Sequence, residues 1–377
     1  MSTTSAPDDA GLWDTISGPS TVAELGEQLA AGAEQLQDTE HAHPTKSGGG
    51  HANDPSKTTT VQRKYAQRLR GRFANIRAEI RRGIADRDVL GLQDDDDGEG
   101  TSLADLLAAD DVPDDVRERF VELLATQEYS AAGNLVEQLA SDFDPEDLVT
   151  RDFEFDQLAR KHEEFMSWLR TQQEAGVLDV ISRDGNTYVR SAYERGIRNA
   201  NNWMDADDVD EDVAAALRQP IHQDRLSLLY ERNFEALQGI TQDVSREISR
   251  ELAEGLAEGV NPDEMARRLT GRVDAIGRTR ATTLARTEIL YSHNEATISQ
   301  YERVLGSDID VEIQAEVSTA GDRHVCDICG PWDGRTLPLD EARSDGPPFH
   351  PRCRCVVRPT TGKAGDATSK KAELAAS

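Results

Sequence analysis

Asp322-Arg323-His324-Val325-Cys326-Asp327-Ile328-Cys329, followed after twenty residues by His350-Pro351-Arg352-Cys353-Arg354-Cys355, holds all four cysteines of the chain. A Cys-x-x-Cys turn lets two thiolates face one ion, and a second pair from a distant segment closes a loop around it. A structural zinc ion takes four such ligands in a tetrahedron at about 2.0–2.3 Å. Cys326 and Cys329 supply the first pair, and His350, Cys353 and Cys355 compete for the two remaining places. The loop between them carries Gly330-Pro331, Asp333-Gly334, Asp345-Gly346 and Pro347-Pro348, all structure-breaking pairs, so it is not expected to hold a core by itself. Metal binding would supply folding free energy to such a segment. The alternatives are a disulfide framework or reduced buried thiols. No secretory signal peptide is read, so an intracellular setting with reduced thiols is expected, which favours metal.

Upstream of this loop, Asp308 to Val317 alternates Ile309, Val311, Ile313, Ala315 and Val317 with acidic and amide residues, the period of a half-buried strand. Arg354 to Arg358, with Val356 and Val357, reads as the returning partner strand. The rest of the pattern is helical. Leu226, Leu229, Tyr230, Phe234, Leu237, Ile240, Val244, Ile248, Leu252 and Leu256 form one long apolar stripe ended by Gly259. Asn261-Pro262-Asp263-Glu264 then reads as an N-cap, a first-turn proline and acids suited to the helix dipole. Met265, Leu269, Val273 and Ile276 continue the stripe, and a next helix is expected from about Gly277 to Leu305. Further helices are expected over 102–109, 113–125, 131–140, 145–174 and 190–203, with Pro113 and Pro145 in first turns. A hairpin or helix junction is expected around Asp184-Gly185-Asn186. His162-Glu163 lacks the second histidine of a zinc protease helix.

Thr58 to Asp88 reverses the sign of the chain. It carries nine basic residues (Arg63, Lys64, Arg68, Arg70, Arg72, Arg77, Arg81, Arg82 and Arg87) against Glu79, Asp86 and Asp88. Val61, Tyr65, Leu69, Phe73, Ile76 and Ile80 recur at helical spacing, so this is an amphipathic helix. Its arginines suit phosphate contact with DNA, docking on an acidic partner, or pairing within their own chain. Elsewhere acid dominates: 71 Asp and Glu against 42 Lys and Arg give a net charge of −29. The basic residues are thirty-five arginines and only seven lysines. That balance resembles the proteins of salt-in halophiles, where high salt screens self-repulsion, and a halophilic host is the expected setting. No run of eighteen apolar residues is present, so no membrane span is expected. His41, His43 and His51 lie in a low-complexity acidic arm and are expected to be solvated.

Four motifs stand in a specific order: Leu284-Ala285-Arg286-Thr287-Glu288, the Asp322 to Cys329 run, Trp332-Asp333-Gly334, and Pro347-Pro348-Phe349 leading into His350 to Cys355. Together they resemble the phage head morphogenesis family, the minor head proteins similar to protein F of phage Mu. The resemblance covers the chain from about Ala281 onward. It implies a minor head protein of a tailed virus that associates with the portal and other head proteins and acts in head assembly, DNA packaging or DNA ejection. Its implied place is the virion head near the portal vertex, and the host cytoplasm during assembly. In this resemblance Arg286 and Glu288 look like buried polar anchors for the small C-terminal sheet.

The competing class is a zinc-supported nuclease of the HNH type, or a DNA-binding zinc module. The nuclease needs a second histidine beside the catalytic one and a metal-binding partner downstream. His350 is followed by Pro351, and no histidine comes after it. A zinc deaminase needs a His-x-Glu element before Cys326, which is missing. No complete catalytic constellation is found, so no enzymatic activity is expected. The expected fold class is mainly α with a small α+β C-terminal module of long helices, a short antiparallel sheet and a zinc-knuckle-like loop. The expected divisions are an acidic arm (1–57), a basic helix and acidic linker (58–98), a helical body (99–260), the head-morphogenesis-like domain with its Cys/His knuckle (261–359) and a tail (360–377).

Overall fold

Asn261 opens the longest helix among the described residues. Its side chain accepts the Glu264 N–H at 2.9 Å, and Gly259, at φ +66°, ends the preceding helix in the left-handed region that favours glycine. The computed structural model describes residues 54–90, 106–107, 112–141, 155–178, 185–204, 209–305 and 313–361. The histidine arm, the aspartate run at 94–97, Pro145, most of the 102–109 helix, residues 179–184 and the tail after 361 lie outside them. The elements are α1 (Thr59–Arg81, continued by a π turn, Arg82–Asp86), α2 (Asp114–Ala125), α3 (Tyr129–Ser141) and α4 (Phe155–Gln173, continued by a π turn, Glu174–Leu178). Then come α5 (Thr187–Trp203), α6 (Val209–Ala216), α7 (Pro220–Ala257), α8 (Pro262–Leu305), β1 (Ile313–Ser318), β2 (Thr336–Leu337), α9 (Leu339–Ser344) and β3 (Val356–Thr361). No described helix is long and apolar enough to cross a membrane. The chain is thus mainly helical with a small C-terminal antiparallel sheet, as the periodicity predicts.

Contacts divide the chain into two units. One takes the described residues of Met1–Ala66, Arg183–Ala236 and Thr283–Ser377, the other those of Gln67–Ser182 and Leu237–Thr282. In the second unit the stripe of α1 (Leu69, Phe73, Ile76, Ile80) is buried, as are Leu237, Val244, Ile248 and Leu252 of α7 and Leu269 and Val273 of α8. The break expected before Gly277 does not occur. α8 runs unbroken for 44 residues, and a Cβ at Gly277 would stand 2.6 Å from the Phe73 ring. The glycine is there to admit a ring, and packing outweighs its weak helix propensity. Pro113 is an N-cap with φ −63° rather than a first-turn residue. Asn186 also caps, accepting from Tyr188 and Val189, so Thr187 to Arg190 is the first turn of α5 and not a hairpin strand.

In the first unit Val189, Tyr193 and Ile197 of α5 pack with Val213 and Ala216 of α6, Leu226 and Leu229 of α7 and Ala296 of α8. Gly196 lets α5 approach closely, because a Cβ there would run into the His293 carbonyl and lie 2.7 Å from Ala296 Cβ. The sheet has the order β2-β1-β3, with Ala315 opposite Leu337 and Pro359. Ala315 and Val317 point inward as the alternation predicts, and Gln314 is buried too. Ile298 and Tyr301 of α8 cover this face together with Leu339 and Ala342 of α9. Neither α9 nor β2 is legible in the breaker-rich loop, whose few apolar residues are buried by α8 and the sheet rather than by one another.

Candidate metal centre

Three short segments bring the five donors together. Cys326 and Cys329 bracket a turn closed by the Gly330 N–H to Cys326 O bond at 2.8 Å, and a 3-10 turn over Gly330–Trp332 follows. His350 precedes Cys353 by one turn, closed by the Cys353 N–H to His350 O bond at 3.1 Å. Cys355 leads into β3. Asp322 joins the two halves: its carboxylate takes both Arg354 Nη groups, at 2.6 and 2.8 Å, while one oxygen also accepts the His324 N–H. The Arg354 pairing holds the Asp322 carboxyl well below the usual carboxylate range.

His350 Nδ1 lies 2.8 Å from Pro351 O, so Nδ1 carries the proton and the Nε2 lone pair is free. That lone pair faces Cys326 Sγ at 3.2 Å and Cys329 Sγ at 3.0 Å. Such a backbone partner on the far nitrogen is the support that metal-ligating histidines normally have. Cys329 Sγ is 3.7 Å from Cys353 Sγ, and the Cys355 N–H points at Cys353 Sγ at 3.5 Å. The donors therefore form two triads, Cys326–Cys329–His350 and Cys329–Cys353–Cys355, either of which can hold a metal ion, and Cys329 is common to both. None of the four cysteines is in a disulfide. A recess of about 20 Å³, room for one ion or water, is walled by Cys326, Cys329, His350 and Cys355 with Arg352 and Arg354.

The donor chemistry fits a zinc-like ion. Tetrahedral bonds of the usual lengths place two thiolates about 3.8 Å apart and a thiolate and imidazole about 3.6 Å apart; the Cys329–Cys353 spacing is close to the first, and His350 stands nearer its two sulfurs than the second. Without a cation the thiols restrain one another. Cys353, accepting from Cys329, is pushed down, and Cys329, donating to it, is pushed up. Only a bound cation lets all of these sulfurs be anionic together.

The module is anchored on α8 by Thr283, Thr287 and Asn294, of which only Thr287 lies in a motif and none is given an anchoring role by the sequence. Asn294 Nδ2 donates to Cys355 O at 3.1 Å and Pro347 O at 3.0 Å. Thr287 Oγ1 accepts the Arg352 N–H at 3.3 Å, and Thr283 Oγ1 accepts from Arg352 Nε at 3.0 Å. The expectation for Arg286 and Glu288 is therefore corrected. Arg286 is exposed, while Glu288 is buried and paired with Arg232 of α7 at 3.2 Å, not with the sheet. The helical period places 283, 287 and 294 on the module's side, leaves 286 at its edge and turns 288 away from it. Polar residues at that spacing were the available signal.

A Cys/His cluster held on a long helix beside a small antiparallel sheet is the class of module that this region defines. Residues 246–358 match the family described as Phage Mu protein F like protein. The match takes in the end of α7, all of α8, β1, β2, the start of β3 and the whole donor cluster, and it supports a phage head morphogenesis protein. No curated protein and no solved structure matches this chain.

Proposed function

We propose that this chain is a minor head protein of a tailed virus that associates with the portal and assists head assembly, DNA packaging or DNA ejection, with one structural zinc ion in its C-terminal module. The observation that carries this is the coincidence of the family match, 246–358, with the segment that converges all five donors. The zinc seats are Cys326, Cys329, His350 and one of Cys353 and Cys355: Cys353 Sγ stands at a tetrahedral edge from Cys329, and Cys355 walls the recess with the other three. Metal analysis under reducing conditions should find about one zinc per chain. Of Cys353→Ser and Cys355→Ser, one should lose it and the other keep it, which identifies the fourth ligand; retention by both variants would overturn this ligand set. In the virus, the protein should copurify with heads, and its deletion should yield heads that fail to assemble or fill. Its absence from purified heads would end this reading.

The outer face of α1 is the proposed contact with DNA or an acidic head protein. Arg63, Lys64, Arg68, Arg70 and Arg81 are exposed and make no ion pair among the described residues. Arg77 differs, pairing with Asp274 at 2.7 Å. Replacing Arg68, Arg70 and Arg81 by glutamine should weaken DNA binding and flatten its salt dependence, or else remove the protein from heads. No change in either would leave α1 without an external role.

A further inference from the structure

Arg352 stands in a left-handed backbone conformation, φ +63°, which strains any residue with a Cβ and which glycine would adopt freely. Its N–H and Nε are pinned to Thr287 and Thr283. The guanidinium is therefore fixed in orientation, yet its two Nη groups have no partner among the described residues. Arg286 lies one turn along α8 from Thr283, exposed and likewise without an ion pair among the described residues. Its charge is felt at Arg352. Several other arginines of this unit are paired, Arg354 with Asp322, Arg232 with Glu288, and Arg343 with Glu295 and Glu302, whereas Arg63 on α1 makes no ion pair among the described residues; what sets Arg352 apart is that its guanidinium is held in place. In a chain with 71 acidic residues to 42 basic ones, a carboxylate is the easiest partner to supply. Two neighbouring arginines without one, one of them oriented at the expense of backbone strain, are built for an anion from outside.

We propose that Arg286 and Arg352 form a docking site for an acidic segment of a partner protein, with carboxylates accepting from the two guanidiniums. The planar guanidinium fork matches carboxylate geometry, and its charge-assisted bonds are the strong ones. A nucleic-acid backbone suits the site less well, since phosphate binding draws on a stripe of roughly six to ten cations and this place offers a pair. The inference rests on the head-protein reading only for which protein carries the segment. Binding to a peptide and incorporation into heads are separate measurements, so either can fail alone.

The test uses the full chain with its zinc content measured, titrated with a labelled hexaglutamate peptide at about 0.15 M salt. Arg286→Gln and Arg352→Gly should each weaken binding, and the double variant should weaken it by about tenfold or more. Arg352→Gly keeps the backbone conformation and the N–H bond to Thr287 but loses the Nε bond to Thr283, so its zinc content and melting are measured alongside binding; Arg286→Gln, which removes neither anchor, should leave both unchanged. The proposal is overturned if the native chain does not bind the peptide or the variants bind it equally well. It is also overturned if the variants lose zinc to a chelator while still binding the peptide, because the arginines would then serve the thiolates. Duplex DNA bound through these arginines in place of the peptide would assign the site to nucleic acid.

Discussion

The two parts of α8 solve opposite problems with one helix. From 262 to 282 it follows the amphipathic rule. Met265, Leu269 and Val273 are buried, and the charges of the helix sit at the surface, as in Glu264 with Arg267. From 283 to 305 it buries polar groups almost all round: Thr283, Thr287, Glu288, Ser292, His293, Asn294, Glu295, Thr297, Ser299 and Gln300. Each needs a partner. Glu295 accepts from Arg343 at 2.9 Å, and Asn199 Nδ2 lies 2.9 Å from His293 Nε2. Gln300 faces His222 and Asn201. The first part draws its stability from apolar burial, which tolerates the loss of a surface charge. The second is stable only while its network is satisfied, because a buried polar group left alone costs its full desolvation.

The steepest contrast should come from the metal. Structural zinc supplies about 10–16 kcal/mol in small modules, as much as the whole stability of a typical domain, about 5–15 kcal/mol. Cys329→Ala, which breaks both triads, should abolish metal binding and let the amides of 313–361 exchange as an unfolded segment does, while 262–282 stays protected. Equal protection of both segments would show that the sheet holds without metal.

Next, Arg232→Met should destabilise by about 3–5 kcal/mol, because it leaves Glu288 buried without its counter-charge. Burial opposes the Arg232 charge, but Glu288 more than offsets it, so its pKa is raised. In the other part of the helix Arg267→Ala should leave the denaturation midpoint unchanged. Similar losses from the two substitutions would remove the distinction.

Glycines sharpen the comparison at a smaller scale. Gly196→Ala should cost about 1–3 kcal/mol by overpacking against the α8 backbone at His293. Gly71→Ala, on the exposed side of α1 with nothing within 4 Å of a new Cβ, should stabilise by up to about 1 kcal/mol. Thermal melts of the two variants should move in opposite directions.

An effect of similar size is expected with pH. Burial pushes His293 down to about 4 from 6.5, and Asn199 and Asn294 flank its ring nitrogens. With the folded pKa below the unfolded one, the unfolded chain binds more protons between these values. The histidine's contribution is complete above pH 6.5 and is lost as pH falls toward 4. Between pH 7.5 and 5 that amounts to about 2 kcal/mol. The metal ligands titrate as well, so the measurement is the difference between the native chain and His293→Gln. Parallel pH curves for the two would refute it.

Much of the fold is legible in the chain itself. The stripes of α1, α7 and the first part of α8, the cap at Asn261 and the inward Ala315 and Val317 all follow from local periodicity and capping chemistry. The choice of Cys326, Cys329, His350, Cys353 and Cys355 as candidate donors is read from the chain as well, because few other residue types bind metal at such spacing, and the structure brings them together. What periodicity does not convey is which polar residues are buried. Thr283 and Asn294 carry no signal of burial in sequence, Arg286 is expected buried and is exposed, and Gly277 looks like a break.

The linear order of residues thus determined the helical character, the strand that leads into the loop, the donor set and the resemblance to head proteins, since each depends on neighbours within a few positions. Tertiary structure alone decided that Asn294 rather than Arg286 holds the module, that Glu288 pairs across to Arg232, and that Cys329 is common to both triads. Those outcomes depend on which side chains meet across long separations in sequence, and a buried charge or thiol takes its chemistry from whatever stands opposite it.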